Sequence, residues 1–301
     1  ALDGDTNVYL VPYDFHETMV QPLNALHTLP GAIDESASAA VQIALTGTDD
    51  GQLIFTKSSG KLMAWSATSP IAHAGSTERI EAFITGLCAV SADEYVTTVA
   101  DAAGLAVYGL DAPRRLIAAF QDGTIRDIHL GSDAGDGMVY ARMDRTGDIY
   151  RIRRTQLTFA ESAGLNTLLD RFVSPVVVAT LSQMRVTTVD GETTLRIEYE
   201  NGDDNIGQRW FRDENAVTRD EFTDAYLSII ALQFDQTAPQ EAAGTSLLAD
   251  VTFTLRDGST STVRYEACDA FYALVTTDGG GRFLVRLTDV ENMLTVLKGE
   301  K

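Results

Sequence analysis

The chain has 301 residues, 45% of them hydrophobic, which is enough to fill the core of two domains or of one domain built from repeated units. Its 23 basic and 43 acidic residues give a net charge of −20, so binding driven by contacts with nucleic-acid or lipid phosphates is disfavoured. The two cysteines, Cys88 and Cys268, cannot form a disulfide framework or a structural zinc site by themselves, and we expect each to be a buried small hydrophobe.

The N-terminal segment is predicted to contain a strand and a helix. Leu2–Val11 is typical of a turn followed by a strand. Helical spacing then runs from Asp14 to His27, with Asp14 as the N-cap and Glu17 in the capping-box position. We interpret residues 1–34 as the closing strand and helix of a truncated upstream unit, so a further strand is expected upstream in the complete protein.

Residues 35–175 are predicted to form repeat unit one. A strand pair turns at Asp50-Gly51, and a helix with Ser76 as its cap runs from Thr77 to Leu87. Residues 91–105 are predicted to be a loop.

The most distinctive stretch of this unit follows that loop and reads Tyr108-Gly109-Leu110-Asp111-Ala112-Pro113. Gly109 can adopt backbone angles that other residues avoid, and Pro113 fixes its own φ. The stretch therefore predicts a rigid corner that leads into a β-hairpin turning at Asp122-Gly123.

The rest of unit one is predicted to be a second hairpin and a helix. The hairpin spans residues 138–153. Thr158, with Glu161 three residues later, is expected to open one helix that continues to Phe172.

Residues 176–301 are predicted to be repeat unit two, because the same features recur there in the same order. Its first helix should begin at the capping box Thr218 and Glu221, and the last helix at Thr288 and Glu291. The matching positions are Asp50-Gly51 with Asp190-Gly191, Trp65 with Trp210, Gly123 with Gly258, and Tyr140 with Tyr272. Several matches in one order indicate an internal duplication.

The predicted fold class is α+β, a tandem repeat of antiparallel β-meander units with helices covering one face of each sheet. Apolar and polar residues alternate around Leu195 and Ile197, which is the pattern of a strand with one buried side. The same period recurs at Val251 and Phe253.

The corner and the two hairpins of unit one, together with Trp65 and the helix segment Arg79–Phe83, resemble the bacterial family called domain of unknown function 4340. Unit two departs from this pattern, because Gly244 stands where Gly109 does but no Leu-Asp-x-Pro follows. The structural signature residues assigned from this resemblance and from the internal repeat are Tyr108, Gly109, Leu110, Asp111, Pro113, Trp65, Trp210, Tyr140 and Tyr150. The resemblance implies an extracytoplasmic protein with an N-terminal membrane anchor, often encoded beside an ABC-type transporter, and it implies no catalytic residue.

The candidate catalytic and metal-binding residues are scattered. The histidines lack metal-ligand spacing, so no metal or other cofactor is expected; they are His16, His27, His73 and His129. Ser58-Ser59-Gly60-Lys61 matches the Ser-x-x-Lys motif of penicillin-binding enzymes, but it falls in a predicted turn and lacks that family's other motifs.

Three polar stretches resemble ligand loops only in part. Asp3–Asn7 and Asn201–Asn205 place oxygen atoms on alternate residues, as calcium loops do. The first lacks the glycine and the glutamate that complete such a loop, and we interpret both as polar hairpin turns. Asp133–Gly137 is rich in glycine but acidic, so it would repel a phosphate group.

Trp65 and Trp210 have the chemistry to stack on a sugar or a peptide. Their recurrence at one position of the repeat instead favours packing of a helix on a sheet, so we expect both rings to be largely buried. Exposed rings at both positions would favour the stacking role.

The expected function is a non-enzymatic extracytoplasmic interaction module of a membrane-anchored bacterial protein, such as an ABC-transporter accessory. A protein partner is expected and nucleic acid is not, and the membrane would be reached only through a segment outside this chain. The alternative is a module that binds a glycan, a peptide or a lipoprotein in a groove between the units, which a concave pocket with exposed aromatic rings would favour. A hydrolase ranks last, because no nucleophile, base and oxyanion donor form a recognisable set.

Overall fold

The computed structural model describes residues 12–19, 27–58, 64–99, 101–143, 147–199 and 207–299. The predicted strand Leu2–Val11, most of the Ser58–Lys61 motif and the stretches Asp3–Asn7 and Asn201–Asn205 lie outside these residues. The chain forms two compact units, of which the first comprises residues 1–52 and 81–163 and the second comprises residues 53–80 and 164–301.

The described residues contain eighteen strands and seven α-helices. The strands are β1 (Ala40–Thr48), β2 (Gly51–Lys57), β3 (Trp65–Ser69), β4 (His73–Gly75), β5 (Glu94–Thr98), β6 (Arg114–Phe120), β7 (Ile125–Gly135), β8 (Met138–Met143), β9 (Asp148–Arg153), β10 (Leu181–Thr188), β11 (Gly191–Tyr199), β12 (Gln208–Arg212), β13 (Asn215–Val217), β14 (Gln236–Thr237), β15 (Ser246–Leu255), β16 (Thr260–Ala267), β17 (Tyr272–Thr277) and β18 (Arg282–Arg286). The helices are α1 (Tyr13–Met19), α2 (Thr77–Ala89), α3 (Ala102–Val107), α4 (Thr158–Glu161), α5 (Leu165–Leu168), α6 (Arg219–Ile230) and α7 (Leu287–Lys298). None of these helices is long and apolar enough to cross a membrane.

Two sheets of the same strand order account for all the strands of the described residues. The first has the order β4-β3-β2-β1-β6-β7-β8-β9-β5, and the second has the order β13-β12-β11-β10-β15-β16-β17-β18-β14. Each strand of the first sheet therefore has a counterpart at the same place in the second. The mostly antiparallel α+β fold and the duplication of one sheet topology are confirmed.

The turns between the central strands share the same backbone-to-side-chain hydrogen bond in the two sheets. In the first sheet the Thr124 N–H donates to Asp122 Oδ1 at 2.8 Å, and in the second the Ser259 N–H donates to Asp257 Oδ1 at 2.8 Å. The glycine between them has φ +90° at Gly123 and +83° at Gly258, a region that glycine tolerates best. These hairpins therefore form where the sequence predicts them, because a short Asp-Gly turn is encoded locally.

The pairing register extends this equivalence into the strands. Ile43 pairs with Ala118 and Ala118 with Arg126 in the first sheet. The corresponding residues of the second sheet are Met184, Phe253 and Ser261, paired in the same order. The pairing of β1 with β6 has a register shift between Ala40 and Gln42. The pairing of β10 with β15 has one at the equivalent place, between Leu181 and Gln183. Arg126 and Ser261 are consequently equivalent positions.

One residue match between the repeats that was predicted from the sequence is displaced by two residues in the structure. Met138 pairs with Arg153 at the end of β9, and Tyr272 pairs with Arg286 at the end of β18. Met138, rather than Tyr140, is thus the counterpart of Tyr272. A two-residue shift preserves the side of the sheet, so the apolar pattern alone does not reveal it.

Alternate residues of the central strands are buried, as the two-residue period predicts. Leu116, Ala118 and Phe120 are buried on β6, and Val251 and Phe253 on β15. In the second compact unit, α6 contacts β12, and α7 contacts β17 and β18.

The corner docks its backbone on β7. Gly109 has φ +66°, and the Tyr108 carbonyl accepts a hydrogen bond from the Ser132 N–H at 2.8 Å. Leu110 is buried. The positive φ predicted for Gly109 is confirmed, and a hydrogen bond joins the corner to the neighbouring strand.

The predicted loop 91–105 is wrong, since it contains β5 and most of α3. β5 is an edge strand whose residues are half-buried or exposed, so it lacks the alternation by which a strand is recognised. α3 begins with Asp101, whose side chain accepts a hydrogen bond from the Gly104 N–H at 2.7 Å.

Two predicted helix caps are also wrong, and one predicted helix is interrupted. α1 begins at Tyr13, which places Asp14 in its first turn rather than at the cap. α7 begins at Leu287 without a side-chain cap, so Thr288 has no capping role. The helix predicted from Thr158 is two short helices, because the chain is extended at Gly164, which interrupts the hydrogen-bond ladder between α4 and α5.

The capping box of α6 is confirmed and provides a stability test. Thr218 Oγ1 accepts from the Glu221 N–H at 3.3 Å, and Glu221 Oε2 accepts from the Thr218 N–H at 2.8 Å. We expect Thr218→Ala to lower the free energy of unfolding by about 1 kcal/mol, since a helix N–H loses its acceptor. Thr288→Ala is the matched control, also exposed but without a cap, and should stay within about 0.5 kcal/mol of wild type in urea unfolding followed by circular dichroism. Equal losses in both variants would contradict the capping role.

Candidate functional site

The signature residues from the sequence are mainly packing residues. The rings of Tyr108 and Tyr140 meet edge to face at 4.9 Å, and the buried ring of Tyr150 meets Tyr95 at 6.1 Å. Asp111 is exposed, and Pro113 is half-buried just before β6. The structure brings Tyr108, Gly109, Leu110 and Tyr140 together at the corner, and none of the signature residues lines the pocket described below.

The two tryptophans occupy equivalent positions with different exposure. Trp65 pairs with Gly75 and Trp210 pairs with Val217, which in each case is the last residue of the strand that precedes a helix. Trp65 is fully buried, so the prediction is confirmed there. Trp210 is less completely buried than Trp65, and its ring lies 4.7 Å from that of Phe222 on α6. Neither tryptophan is a free stacking platform.

A pocket of about 200 Å³ in the second compact unit is the candidate site. Three parts of that unit build it: the turn between β3 and β4 with the first residue of β4, the segment 173–176, and strands β16 and β17 with the turn that follows β17. The Ala72 N–H donates to the Gly279 carbonyl at 3.2 Å, which joins two of these parts. The lining residues are Ala72, His73, Val173, Ser174, Pro175, Val176, Ser261, Val263, Thr277, Asp278 and Gly279.

His73 is fixed in the pocket wall. Its Nε2 lies 3.2 Å from the carbonyl oxygen of Asp170, and its ring packs 4.8 Å from that of Phe283 and 5.8 Å from that of Phe234. Burial lowers the pKa of His73 despite opposing contributions from Asp170 and Phe172, so the neutral imidazole is favoured near pH 7. If Nε2 carries the proton and donates it to the carbonyl, Nδ1 is an acceptor.

Ser174, His73 and Asp278 all line the pocket, yet they do not form a catalytic triad. No hydrogen bond joins any two of these three described residues. His73 Nε2 is engaged by the Asp170 carbonyl, and Asp278 Oδ2 accepts from the Thr262 N–H at 3.0 Å. A triad requires the base to be held by the acid and to contact the nucleophile. Ser174 is therefore not held against a base in the way that a triad requires.

The pocket is negative in charge and mixed in polarity. Asp278 lies exposed at its rim, and the neutral form of His73 adds no positive charge. Val173 and Val263 are buried and supply apolar walls. Apart from the imidazole of His73, the described residues of the lining contain no aromatic ring, so they lack the exposed aromatic side chains expected for glycan or peptide stacking.

A cluster of charged side chains lies on the face of the first sheet opposite its apolar core. Its members form ion pairs with one another. Asp127 contacts Arg115 Nη2 at 2.6 Å and His129 Nε2 at 3.2 Å. Burial alone would raise the pKa of Asp127, but hydrogen bonds from His129 and Arg115 outweigh it and lower that pKa. The positions of Arg115 and His129 are taken in the second sheet by Asp250 and Arg264, which form two hydrogen bonds of 2.8 Å. These groups stabilise the sheets by pairing across strands.

Among the described residues, no three His, Cys, Asp or Glu side chains gather into a group that could hold a metal ion. Both cysteines are free thiols. Cys88 is buried as expected, whereas Cys268 is half-buried, so the expectation of two buried cysteines is wrong for the second.

The sequence does not predict this pocket, because most of its residues are small or apolar and they lie far apart in the chain; from the sequence, His73 is considered only as a metal ligand. The sequence does contain one relevant signal. Aligning Gly123 with Gly258 also aligns Arg126 with Ser261, so a long cationic side chain in one repeat is a short hydroxyl in the other.

Comparison with known proteins identifies one family. A family model described as domain of unknown function (DUF4340) matches residues 65–250, which is more than half of the chain. No curated protein and no solved structure gives a significant match.

Proposed function

The chain belongs to the family of the domain of unknown function DUF4340, and from this premise we propose that it is a non-enzymatic module that binds a protein partner. The module acts on the extracytoplasmic side of a membrane, to which a further segment of the complete protein anchors it. It serves as an accessory of an ABC-type transporter. The location and the transporter rest on the resemblance of the corner and hairpins to the family.

The pocket beside His73 is the observation that carries this proposal. Its volume of about 200 Å³ is below the roughly 300–1,000 Å³ of pockets that enclose whole small ligands, and suits one side chain of a partner. Its serine, histidine and aspartate are not connected by hydrogen bonds, which favours recognition over catalysis. We also propose that helices cover one face of each sheet. In the second sheet, α6 contacts β12, and α7 contacts β17 and β18.

The experiment uses the full-length protein, expressed with the transporter subunits encoded beside its gene and purified from detergent-solubilised membranes. We expect the wild type to retain those subunits. Val176→Trp places a large ring in the pocket wall and should reduce retention by about tenfold, which corresponds to roughly 1.4 kcal/mol. Val189→Trp is the matched control, because Val189 is 79% exposed on a turn that does not line the pocket.

Two results would contradict the proposal. One is a wild-type protein that retains no transporter subunit. The other is equal retention by wild type and Val176→Trp when circular dichroism shows both to be folded, since the pocket would then have no part in binding.

A further inference from the structure

The pocket lies where the first repeat carries a buried arginine. Arg126 on β7 and Ser261 on β16 occupy the same register position, facing Ala118 and Phe253 respectively. Ser261 lines the pocket, whereas Arg126 is 1% exposed and among the largest fully buried side chains. The two repeats therefore show one equivalent position twice: a long side chain fills it in the first repeat, and a short side chain leaves a pocket in the second.

Arg126 joins β7 to a preceding segment of the chain. Its guanidinium donates to the Val90 carbonyl at 2.6 Å and to the Gly31 carbonyl at 3.2 Å. Carbonyl oxygens near the C-terminus of α2 carry partial negative charge, which stabilises a cation there. The side chain thus fills the space between the strand and the segment that contains Gly31.

The same segment exists in the second repeat and forms the opposite pocket wall. The Ala92 N–H donates to the Pro30 carbonyl, and the Phe234 N–H donates to the Arg171 carbonyl, which anchors the two segments in the same way. The residues that follow Arg171 include Val173–Val176, which line the pocket. Because Ser261 has no long side chain to fill this space, a cavity of about 200 Å³ remains.

The chemistry of the cavity matches the group that its counterpart contains. Val173 and Val263 provide an apolar passage for methylene groups, and Asp278 provides a carboxylate at the rim. A planar guanidinium forms directional hydrogen bonds with carboxylate and carbonyl oxygens. The net charge of −20 also attracts a basic partner at long range.

We infer that the pocket beside Ser261 binds the guanidinium group of an arginine side chain presented by the protein partner, which rests on the proposed interaction function. The partner's arginine occupies in the second repeat the place that Arg126 occupies in the first. The residues that determine this specificity are Asp278, Ser261 and the valines of the wall.

The test titrates the purified chain with N-acetyl-arginine amide and follows backbone amide shifts by NMR. N-acetyl-citrulline amide is the matched probe, since it has nearly the same shape without the charge. We expect shifts at Ser174, Ser261 and Thr277 with the arginine probe, and binding at least about tenfold weaker with citrulline, because a hydrogen bond to a charged group is stronger than one between neutral groups.

Two variants sharpen the test. Ser261→Arg supplies the guanidinium from the chain itself and should abolish binding of the probe, whereas Thr260→Arg, at an exposed neighbouring position, should not. If Ser261→Arg fails to fold, Asp278→Asn keeps an acceptor for the Thr262 N–H and should weaken the arginine probe by about tenfold without affecting citrulline.

Equal binding of arginine and citrulline, or unchanged binding by Asp278→Asn, would overturn the inference. The transporter experiment distinguishes failure of the arginine site from failure of the proposed interaction function. If the subunits bind wild type and Ser261→Arg equally, the interaction function stands and the arginine site falls. If no subunit binds but Ser261→Arg abolishes binding of the arginine probe, the guanidinium site stands and its assignment to a transporter partner falls.

Discussion

Trp65→Ala should lower the free energy of unfolding by about 3–5 kcal/mol, the range for removal of a large aromatic side chain from a core. Trp65 is fully buried on β3, between Lys57 and Gly75 in the register of the sheet. Ile80 and Phe55 approach the same site, since both lie within 3.0 Å of where a Cβ on Gly75 would stand. Removal of the indole leaves a cavity that these neighbours can fill only in part.

Trp210→Ala is the control that the duplication provides. Trp210 holds the equivalent position on β12 but is half-buried, so its removal should cost about 1–2 kcal/mol. Both variants are measured by urea unfolding with circular dichroism, because the substitutions themselves change the tryptophan fluorescence. An equal or greater loss in Trp210→Ala would show that exposure in the folded state does not determine the difference.

Trp65→Phe separates packing from hydrogen bonding. The indole Nε1 of Trp65 is buried and has no hydrogen-bond partner among the described residues. Replacement by phenylalanine therefore loses volume but no hydrogen bond, and should be clearly milder than replacement by alanine. A loss as large as that of Trp65→Ala would indicate that the indole N–H has a partner in solution.

Gly131→Ala should lower the free energy of unfolding by about 2–4 kcal/mol, the sum of overpacking and a weakened hydrogen bond. A Cβ at this position would stand 2.2 Å from the carbonyl oxygen of Tyr108 and 3.0 Å from Leu110 Cγ. The corner cannot retreat freely, because the same carbonyl accepts from the Ser132 N–H at 2.8 Å. To make room for the added Cβ, the backbone of the corner at residues 108–110 would have to move away from β7.

Gly31→Ala is the matched control. A Cβ on Gly31 meets no atom within 4 Å, and the carbonyl that accepts from Arg126 is unchanged. This variant should stay within about 0.5 kcal/mol of wild type in the same unfolding assay. If Gly131→Ala is equally neutral, the close approach of the corner to β7 is not maintained in solution.

Local sequence chemistry was sufficient to predict the hairpins and one helix cap. Asp122-Gly123 and Asp257-Gly258 turn the chain through their own side-chain and backbone geometry, and Thr218 with Glu221 closes a reciprocal cap. These features depend on residues within a few positions of each other. The edge strand β5 was missed because its stability comes from pairing with β9, about fifty residues away, rather than from a pattern of its own.

The sequence by itself determined the duplication, the order of its turns and the alignment of Arg126 with Ser261. Only the tertiary structure decided that Arg126 is buried against the Gly31 and Val90 carbonyls and that a cavity remains beside Ser261. The physical reason is that turn and cap energies arise within a few residues, whereas burial and cavity volume arise from segments brought together from distant parts of the chain. An arginine and a serine at matching positions are both ordinary strand residues until the packing around each of them is known.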